Sequence, residues 1–531
     1  MSLINSNPQI AAKIDDLWNK FWSGGISNPL TAIEQITYLL FMKKMDENDL
    51  EALANAEFTG EPYVSKFEGT FYLTKEDEEK QQNGIEKQTL RWSQFKRLPS
   101  DEMLAHIQRA VFPFLKKLDK EDSLFAQHMV NAVFIIPKPS LLKEAISSID
   151  EIYEEMEKDS NEKGQDFQDI QGDVYEMLLS EIASAGKNGQ FRTPRHIIKL
   201  LVDLVDPKLG QKVADPACGT GGFLLGAYQY MVTQLDKEKD KRTPDEDGFI
   251  RNSKSALLTE DVKEILGKSL YGYDIDSTMV RLGLMNLMMH GIDNPQIDYK
   301  DTLSKSYHET SEYDIVLANP PFTGNIDKGD IHEELQLKTT KTELLFIERI
   351  FNMLKMGGTA GIVVPQGVLF GTSGAFVEAR KLMIEQAELK AVVTCPSGVF
   401  KPYAGVSTAL LVFTKGGETE NVWFYDMESD GYTLDDKRAK IGGYGDLQDI
   451  ITQFKNRDPR QEDAREGKHF FVPKEEIVEA DYDLSYSKYR NEVFDEIEYE
   501  NPHEILEKLI GENGLENQII SSLEELKKVI Q

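Results

Sequence analysis

The stretch Val213-Ala-Asp-Pro-Ala-Cys-Gly-Thr-Gly-Gly-Phe223 decides the fold class, because an apolar run enters a glycine-rich turn and then a helical pattern. Glycines at 219, 221 and 222 let the backbone approach a bound ligand where any Cβ would clash. Open α/β sheets bind ligands beyond the carboxyl ends of their strands, which is where this turn lies. The spacing G-x-G-G is neither the dinucleotide pattern nor the P-loop, since no Lys-Ser/Thr follows. The alternative interpretation is a tight strand-to-helix turn without a ligand.

Short apolar runs alternate with helical patterns on both sides of this turn. The predicted strands are residues 212–215, 270–275, 296–299, 313–319, 359–365, 389–394 and 407–414. The predicted helices between them are residues 223–235, 277–290, 343–355 and 374–387. This alternation predicts a largely parallel, doubly wound sheet. No helix separates the last two strands, which predicts a hairpin and therefore one antiparallel strand.

Changes of pattern divide the chain into three predicted domains. Residues 1–160 are predicted to be a helical N-terminal domain, because apolar residues recur every three or four positions. Its polar stretch between Phe58 and Gln88 predicts a loop or mobile insertion. Residues 165–415 contain the predicted sheet. Residues 416–531 are strongly acidic and end in an amphipathic pattern, which predicts a C-terminal region with partner-docking helices.

Composition excludes several classes of protein. The chain has 60 Lys and Arg against 91 Asp and Glu, a net charge of −31. A generally basic nucleic-acid coat is therefore excluded, and any nucleic-acid contact needs a local basic cleft or a partner chain. Cys218 and Cys395 are the only cysteines, which excludes a disulfide framework and favours a reducing compartment. Neither a signal-like start nor a membrane-length apolar run is present, so we expect a cytoplasmic protein. We assign no metal ligands.

The motif Asn319-Pro320-Pro321-Phe322 follows a predicted strand and carries the predicted chemistry. An exocyclic amine conjugated to a ring is a poor nucleophile, because its lone pair is delocalised. The Asn319 side-chain oxygen and the Pro320 carbonyl can accept its two hydrogens and favour a tetrahedral nitrogen, while both prolines fix φ. Phe322 can stack on a flipped-out base. The motif therefore predicts catalysis by positioning and electrostatics, whereas the alternative is a loop that begins with prolines.

Aspartates are predicted to bind the ligand at the same sheet edge. Asp274 ends the second strand, where a carboxylate can accept from both ribose hydroxyls of an adenosine. Asp276 is a second candidate, although its position before Ser277 suits a helix N-cap. Asp301 follows the third strand, where it can accept from an adenine amino group.

The segment Gly189-Gln-Phe-Arg-Thr-Pro-Arg195 precedes the glycine turn. Thr193 and Pro194 are a suitable N-cap and first-turn pair for a helix over residues 196–205. Helix capping is a sufficient explanation for this pair on its own.

Together these motifs resemble the modification (M) subunit of type I restriction–modification systems, a DNA adenine-N6 methyltransferase. The similarity rests on GQFRTP, DPACGTGG, GYD, NPPF and GVLFGTSGA and spans most of the chain. It implies a Rossmann-like S-adenosylmethionine-dependent methyltransferase sheet with a helical N-terminal domain and a helical C-terminal tail. It also implies that residues 190–195 line the methionine end of the cofactor, although the family often has an aromatic residue where Arg192 stands. The resemblance and the motifs together predict the following cofactor-binding residues: Gln190, Phe191, Arg192, Thr193, Pro194, Arg195, Asp215, Pro216, Gly219, Thr220, Gly221, Gly222, Asp274 and Asp301.

The resemblance implies that DNA is the substrate and that a separate specificity subunit binds two M subunits, with a restriction and motor subunit in the full complex. The charge of the C-terminal region supports a separate specificity subunit. Affinity for duplex DNA rests largely on neutralising its phosphates, and an acidic region cannot do this. Two alternatives stay open. The same motif serves methyltransferases that act on protein glutamine amides or ribosomal-RNA amino groups. The second alternative is a protein that binds the cofactor but has lost catalysis, although the intact Asn319 and Asp215 argue against it.

Overall fold

The computed structural model describes residues 8–118, 122–163, 174–175, 177–179, 193–251, 257–402, 404–460, 464–491, 502–510 and 514–530. Gln190, Phe191 and Arg192 therefore lie outside the described residues. The chain forms two compact units, residues 1–489 and residues 490–531.

The N-terminal part is helical, as predicted. Its helices are α1 (Pro8–Ser23), α2 (Pro29–Thr59), α3 (Lys75–Lys80), α4 (Trp92–Phe95), α5 (Ser100–His106), α6 (Phe112–Lys116), α7 (Leu124–Met129) and α8 (Pro139–Lys163). The residues at helical spacing, Ile10, Ile14, Leu17 and Phe21, are all buried on α1. Asn28 caps α2 by accepting from the backbone nitrogens of Leu30 and Thr31.

The segment predicted as a loop or mobile insertion has its own structure, so that prediction was wrong. It contains α3 and an antiparallel pair of short strands, β1 (Thr70–Phe71) and β2 (Ile85–Glu86). Just after it, the buried Arg91 guanidinium donates to Asp46 and Asp49 at 2.7 Å each. Asp49 also accepts from Ser65 Oγ at 2.6 Å, which ties the start of the segment to α2. These anchoring residues lie mostly outside the polar run, so its composition does not reveal them.

The remaining elements of the first unit build one mixed sheet and its helices. Its strands are β3 (Val213–Asp215), β4 (Leu270–Asp274), β5 (Gln296–Tyr299), β6 (Tyr313–Ala318), β7 (Leu354–Pro365), β8 (Ala387–Cys395), β9 (Thr408–Lys415), β10 (Asn421–Asp426) and β11 (His469–Pro473). Its helices are α9 (Arg195–Val205), α10 (Gly222–Leu235), α11 (Glu260–Gly267), α12 (Ser277–Met289), α13 (Thr342–Met353), α14 (Gly367–Phe370), α15 (Gly374–Glu385), α16 (Leu447–Lys455), α17 (Lys474–Glu479) and α18 (Tyr486–Tyr489).

The strand order is β11-β10-β8-β9-β7-β6-β3-β4-β5. Parallel pairing joins β3 to β4 and β6, β4 to β5, and β6 to β7. The predicted antiparallel hairpin is confirmed, because β9 pairs antiparallel with β8 and also with β7. Strand β3 is third from the β5 edge, and later strands lie on both sides of it, so its carboxyl end is the switch point of the sheet.

The sheet continues past residue 415, where we predicted the end of the catalytic domain. Strand β10 pairs parallel with β8, and β11 pairs antiparallel with β10. The chain after β10 also reaches back to α9, where His196 Nε2 lies 2.8 Å from Asp430 Oδ2. The predicted boundary therefore separates strands that the sheet joins. The acidic composition after residue 415 led us to predict a separate region. The acidic residues lie mainly in exposed loops, and they mask the buried strands β10 and β11.

The helical N-terminal part packs against α12 and the outer strand β5. Arg281 Nε of α12 donates to Glu34 Oε1 of α2 at 2.8 Å. His128 Nε2 lies 2.9 Å from Asp298 Oδ1 of β5. The Arg281–Glu34 ion pair is partly shielded from water, which strengthens it relative to a surface pair.

The second unit contains two helices, α19 (Pro502–Ile510) and α20 (Leu515–Ile530). Their large apolar side chains are each at least 41% exposed: Ile505, Leu506, Leu509, Ile510, Leu515, Ile519, Ile520, Leu523 and Leu526. In the described parts of the chain, no helix has both the length and the apolar character needed to cross a membrane.

Candidate active site

The ends of three neighbouring parallel strands form the candidate site. Asp215 is the last residue of β3, Asp274 is the last residue of β4, and Asn319 follows β6 directly. Because β4 and β6 flank β3 on opposite sides, all three residues lie at one edge of the sheet, at the switch point. The motifs predicted to bind cofactor and substrate are thus brought to one place.

The glycine turn between β3 and α10 depends on two left-handed residues. Gly219 has φ of 52° and Gly221, the N-cap of α10, has φ of 78°. A Cβ on Gly219 would meet nothing within 4 Å, and one on Gly221 would make only ordinary contacts. Conformation, rather than a clash within the protein, therefore requires glycine at both positions. The turn leaves backbone N–H groups at the start of a helix, which suits a polar ligand.

Asp274 holds the turn through its carboxylate. Its Oδ2 accepts from Gly219 N at 2.9 Å and its Oδ1 accepts from Asp276 N at 2.8 Å. A carboxylate offers about four acceptor positions, so Asp274 keeps capacity for a ligand beside these bonds. Asp276 caps α12 by accepting from Thr278 N and Met279 N. The alternative interpretation of Asp276 as an N-cap is thereby confirmed.

Burial raises the pKa of two carboxyl groups in the site. Asp215 is 2% exposed, and burial raises its pKa to about 8, with the nearby Asp274 adding to the effect. Burial also raises the pKa of Asp274, against the opposing hydrogen bonds from Asp276 and Gly219. Asp215 accepts only a backbone hydrogen bond, from Ala217 N at 3.0 Å, among the bonds of the described residues. A cationic group on a ligand would favour the ionised form of both carboxyl groups.

Asp301 lies beyond β5, one strand further out than Asp274. Its Oδ1 accepts from Leu303 N at 3.0 Å. The next residue ties this loop to the turn, because Thr302 Oγ1 donates to the Pro216 carbonyl at 3.1 Å. Asp301 is therefore connected to the other candidates through the backbone rather than through its own side chain.

Asn319 is oriented by a hydrogen bond that the sequence did not predict. Its Nδ2 donates to Thr193 Oγ1 at 2.9 Å. Its Oδ1 is buried and has no hydrogen-bond partner among the described residues. The amide is therefore held by its nitrogen while its oxygen is left available as an acceptor. Burying an unsatisfied acceptor costs about 1–3 kcal/mol, a cost that a substrate donor would offset.

The interpretation of Thr193 and Pro194 as a helix-capping pair was wrong. Helix α9 begins at Arg195, and its N-cap, Pro194, makes no side-chain cap bond. The Thr193 hydroxyl is buried and accepts from Asn319 instead. The segment before the glycine turn therefore contacts the NPPF motif directly.

Phe322 packs against a second aromatic ring. Its centroid lies 5.7 Å from that of Phe400, with the rings nearly perpendicular at 81°. Phe322 is only 5% exposed, while Pro320 is buried and Pro321 is exposed. The ring of Phe322 is therefore largely covered by its neighbours, and Phe400 is one of them.

Sequence reasoning missed three further residues at this edge. Phe400 lies in the segment between β8 and β9, and only its aromatic character could have drawn notice. Ile275 is 66% exposed between Asp274 and Asp276, and an apolar residue between two acids was an available signal. Asn286 of α12 donates through Nδ2 to the Thr220 carbonyl at 2.8 Å. A lone amide in an apolar helical run was the signal for it.

Comparisons with known proteins agree with this geometry. Residues 166–497 match the model of the N-6 DNA methylase family, and residues 10–149 match that of the HsdM N-terminal domain. The EcoEI type I restriction enzyme methylase subunit of Escherichia coli is 30% identical over 426 residues, covering 78% of this chain and 76% of that protein. The EcoKI methylase subunit of Escherichia coli K12 is 28% identical over 442 residues, covering 80% and 72%.

A solved structure also matches along nearly the whole length. A chain studied for the complex assembly and conformational transition of a type I R-M system has a TM-score of 0.65 at 26% identity, and 98% of each chain is covered. The methylase family model spans more than half of this chain and includes all residues of the candidate active site. The chain therefore belongs to the methylase subunits of type I restriction–modification systems, which are adenine-N6 DNA methyltransferases.

Proposed function

We propose that Asn319, Pro320, Pro321 and Phe322 carry methyl transfer to the exocyclic N6 amine of adenine in DNA. The observation that carries this proposal is the state of the Asn319 side chain. Its nitrogen is held by Thr193 while its buried oxygen lacks a partner within the described structure. An adenine amino group has hydrogens to donate, and this oxygen is an acceptor fixed at the sheet edge.

The proposed chemistry is activation of a weak nucleophile by two acceptors. Asn319 Oδ1 and the Pro320 carbonyl each accept one N6 hydrogen, which favours a tetrahedral nitrogen with a localised lone pair. The prolines restrict φ, so the carbonyl does not need to reorganise when the base arrives. No covalent intermediate with the protein forms. Methyl transfer would break the bond from the sulfonium to the methyl group and leave a neutral thioether. The cationic N6 would then lose one proton to water, so neither acceptor has to act as a strong base.

Base binding requires a local rearrangement in this account. Phe322 presents a face for stacking, and Phe400 meets it edge-on in the free chain. We propose that a flipped adenine displaces part of this contact and lies against Phe322. Stacking on an aromatic side chain stabilises a base by about 1–3 kcal/mol, which offsets part of the cost of unstacking it from DNA.

We propose that the glycine turn binds S-adenosylmethionine, the methyl donor implied by the family. The residues fit this group: the first backbone N–H groups of α10 have no partner within the helix, and Asp274 accepts from Gly219 N and Asp276 N while retaining acceptor capacity for ribose hydroxyls. Ile275 offers exposed apolar surface beside it for the adenine ring. When bound, the cofactor supplies an electrophilic methyl group on a sulfonium. Asp215 and Asp301 are the remaining side chains that we propose to bind S-adenosylmethionine.

Residues around the turn complete the proposed cofactor site. We assign the backbone of Pro216, Gly219, Thr220, Gly221 and Gly222 to contacts with the cofactor. The segment of residues 190–195 is assigned to its methionine end. Residues 190–192 are outside the described structure, so their assignment rests on the resemblance alone.

We propose that a specificity subunit supplies sequence recognition and that two methylase subunits bind each specificity subunit. A restriction and motor subunit joins for cleavage, and the complex acts in the cytoplasm. The net charge of −31 supports recognition by a separate subunit, because a strongly acidic chain binds duplex DNA weakly by itself. The exposed apolar side chains of α19 and α20 support a docking role for the tail. The family match does not favour the protein-glutamine and ribosomal-RNA alternatives.

The experiment that tests this proposal measures methyl transfer to duplex DNA by the purified chain with and without its specificity subunit. We expect site-specific N6-methyladenine only when both are present. Wild-type activity of the chain alone would contradict delegated recognition. Absence of methylation by the complex, with Asn319 intact and cofactor bound, would contradict the catalytic assignment.

A further inference from the structure

We infer that Asn286 is a positioning residue for the cofactor, acting from behind the glycine turn. This inference rests on the proposed placement of S-adenosylmethionine at that turn. The side chain of Asn286 is fully buried in α12, and its Nδ2 donates to the Thr220 carbonyl at 2.8 Å. Thr220 lies between Gly219 and Gly221, the two left-handed residues of the turn.

The surroundings of Asn286 make a purely structural role a poor explanation. Its neighbours along the helix, Leu284, Met285, Leu287 and Met289, are all buried and apolar. Asn286 Oδ1 is buried and has no hydrogen-bond partner among the described residues. An apolar side chain of similar volume would avoid that desolvation cost. Local departures from good core packing are expected at functional sites, where they hold a particular geometry.

A second residue of α12 supports the same conclusion independently. A Cβ on Gly283 would lie 3.1 Å from the Gly219 carbonyl oxygen and 2.9 Å from Ile297 Cδ1. Glycine at this position therefore lets α12 approach the turn closely enough for the Asn286 bond. One turn of α12 thus places Gly283, which has no side chain, and the donor Asn286 against the same three residues, 219–221.

The Thr220 carbonyl and the Gly221 N–H belong to one planar peptide group. Asn286 holds this group by its carbonyl, and Cys218 holds it by its N–H, because Gly221 N donates to the Cys218 carbonyl at 2.8 Å. Both residues that flank Thr220 are glycines, whose backbones have more accessible conformations than other residues. Without the Asn286 bond, cofactor binding would have to order the turn and would be weakened by that cost.

The test is calorimetric titration of the cofactor-free, full-length chain with S-adenosylmethionine. We expect Asn286→Leu to raise the dissociation constant at least tenfold. Steady-state assays with the specificity subunit should show a raised KM for the cofactor, with kcat at saturating cofactor and KM for DNA within twofold of wild type. The matched control is Met285→Leu, a buried change of similar volume on the same helix. It should leave the dissociation constant unchanged.

Several results would overturn the inference. One is wild-type cofactor affinity in folded Asn286→Leu, and another is an equal loss in Met285→Leu, which would indicate helix packing. If Asn286→Leu does not fold, Gly283→Ala decides, because it displaces the turn without removing a polar group. Wild-type affinity in Gly283→Ala would then refute the role. Weaker binding in Gly221→Val together with normal binding in these variants would reject this inference while keeping the proposed cofactor site.

Discussion

The Asn319 amide donates to the Thr193 hydroxyl at 2.9 Å, joining the segment before the glycine turn to the motif after β6. The two residues are 126 positions apart in the chain. Their bond orients the amide: the nitrogen donates to Thr193, and the buried oxygen has no hydrogen-bond partner among the described residues. The residue that we predicted as a helix cap therefore positions the main proposed acceptor of the reaction.

Replacing Thr193 by valine tests this orientation. Thr193→Val keeps the volume but removes the acceptor for Asn319 Nδ2, so the amide loses its fixed direction. We expect kcat for methyl transfer to fall by up to about 100-fold, because small misplacements of a positioned group cost that much. Thr193→Ser, which keeps the hydroxyl, is the control and should retain most activity. Equal loss in both variants would show that the methyl group, rather than the bond, matters.

Gly221→Val and Asp274→Ala should weaken S-adenosylmethionine binding at least tenfold. Valine at φ of 78° is strained by about 1–3 kcal/mol, and alanine removes the acceptor for both the proposed ribose hydroxyls and Gly219 N. Gly210→Val is the matched control, since its φ is 91° and a Cβ there meets nothing within 4 Å. It should lose stability without losing affinity. Titration that finds wild-type affinity for both site variants would refute the cofactor assignment.

The raised pKa of Asp215 predicts a pH-dependent stability. Burial raises this pKa to about 8 in the folded chain, against roughly 3.9 in an unfolded one. The folded state therefore binds the proton more strongly, so the free energy of unfolding should decrease as pH rises from about 4 to about 8. Asp215→Asn should remove part of this decrease, while Asp274, whose pKa is also raised, retains the rest. Urea unfolding at pH 5 and pH 7.5 measures both slopes, and an equal slope in the variant would contradict the assignment.

Deleting residues 503–531 tests the docking role of the tail. The truncated chain keeps the unit of residues 1–489, which contains the whole sheet and the candidate site, so we expect a folded chain that still binds S-adenosylmethionine. Assembly with the specificity subunit should be poor, because the deletion removes the exposed apolar side chains of α19 and α20. Co-purification at wild-type stoichiometry would refute docking. Loss of soluble protein would instead indicate that the tail packs on its own chain.

The sequence predicted the elements whose patterns are local. Strands β3 to β9 and the helices α10, α12, α13 and α15 follow from alternating apolar runs, whereas α11 and α14 were not predicted. The candidate site residues Asp215, Asp274 and Asn319 follow from their places at the ends of strands. The strands β10 and β11 escaped prediction because acidic loops dominate their surroundings. Their pairing with β8 depends on contacts far apart in the chain.

Roles that depend on a distant partner were also missed. Thr193 has all the local features of a helix cap, and only the fold reveals that its hydroxyl faces Asn319. Asn286 looks like one polar residue in an apolar helix until Thr220 is placed beside it. Phe400 gains significance only from its contact with Phe322. Local pattern thus predicts where the site lies, while its hydrogen bonds require the folded structure.

The most direct test of the account is nucleoside mass spectrometry of DNA methylated by the assembled complex, together with cofactor titration of the same preparations. We predict N6-methyladenine from the wild type, none from Asn319→Ala or Phe322→Ala, and nearly unchanged S-adenosylmethionine affinity in both variants. Methylation on another atom, or loss of cofactor binding before loss of transfer in either variant, would contradict the assignment of this motif to the adenine amine.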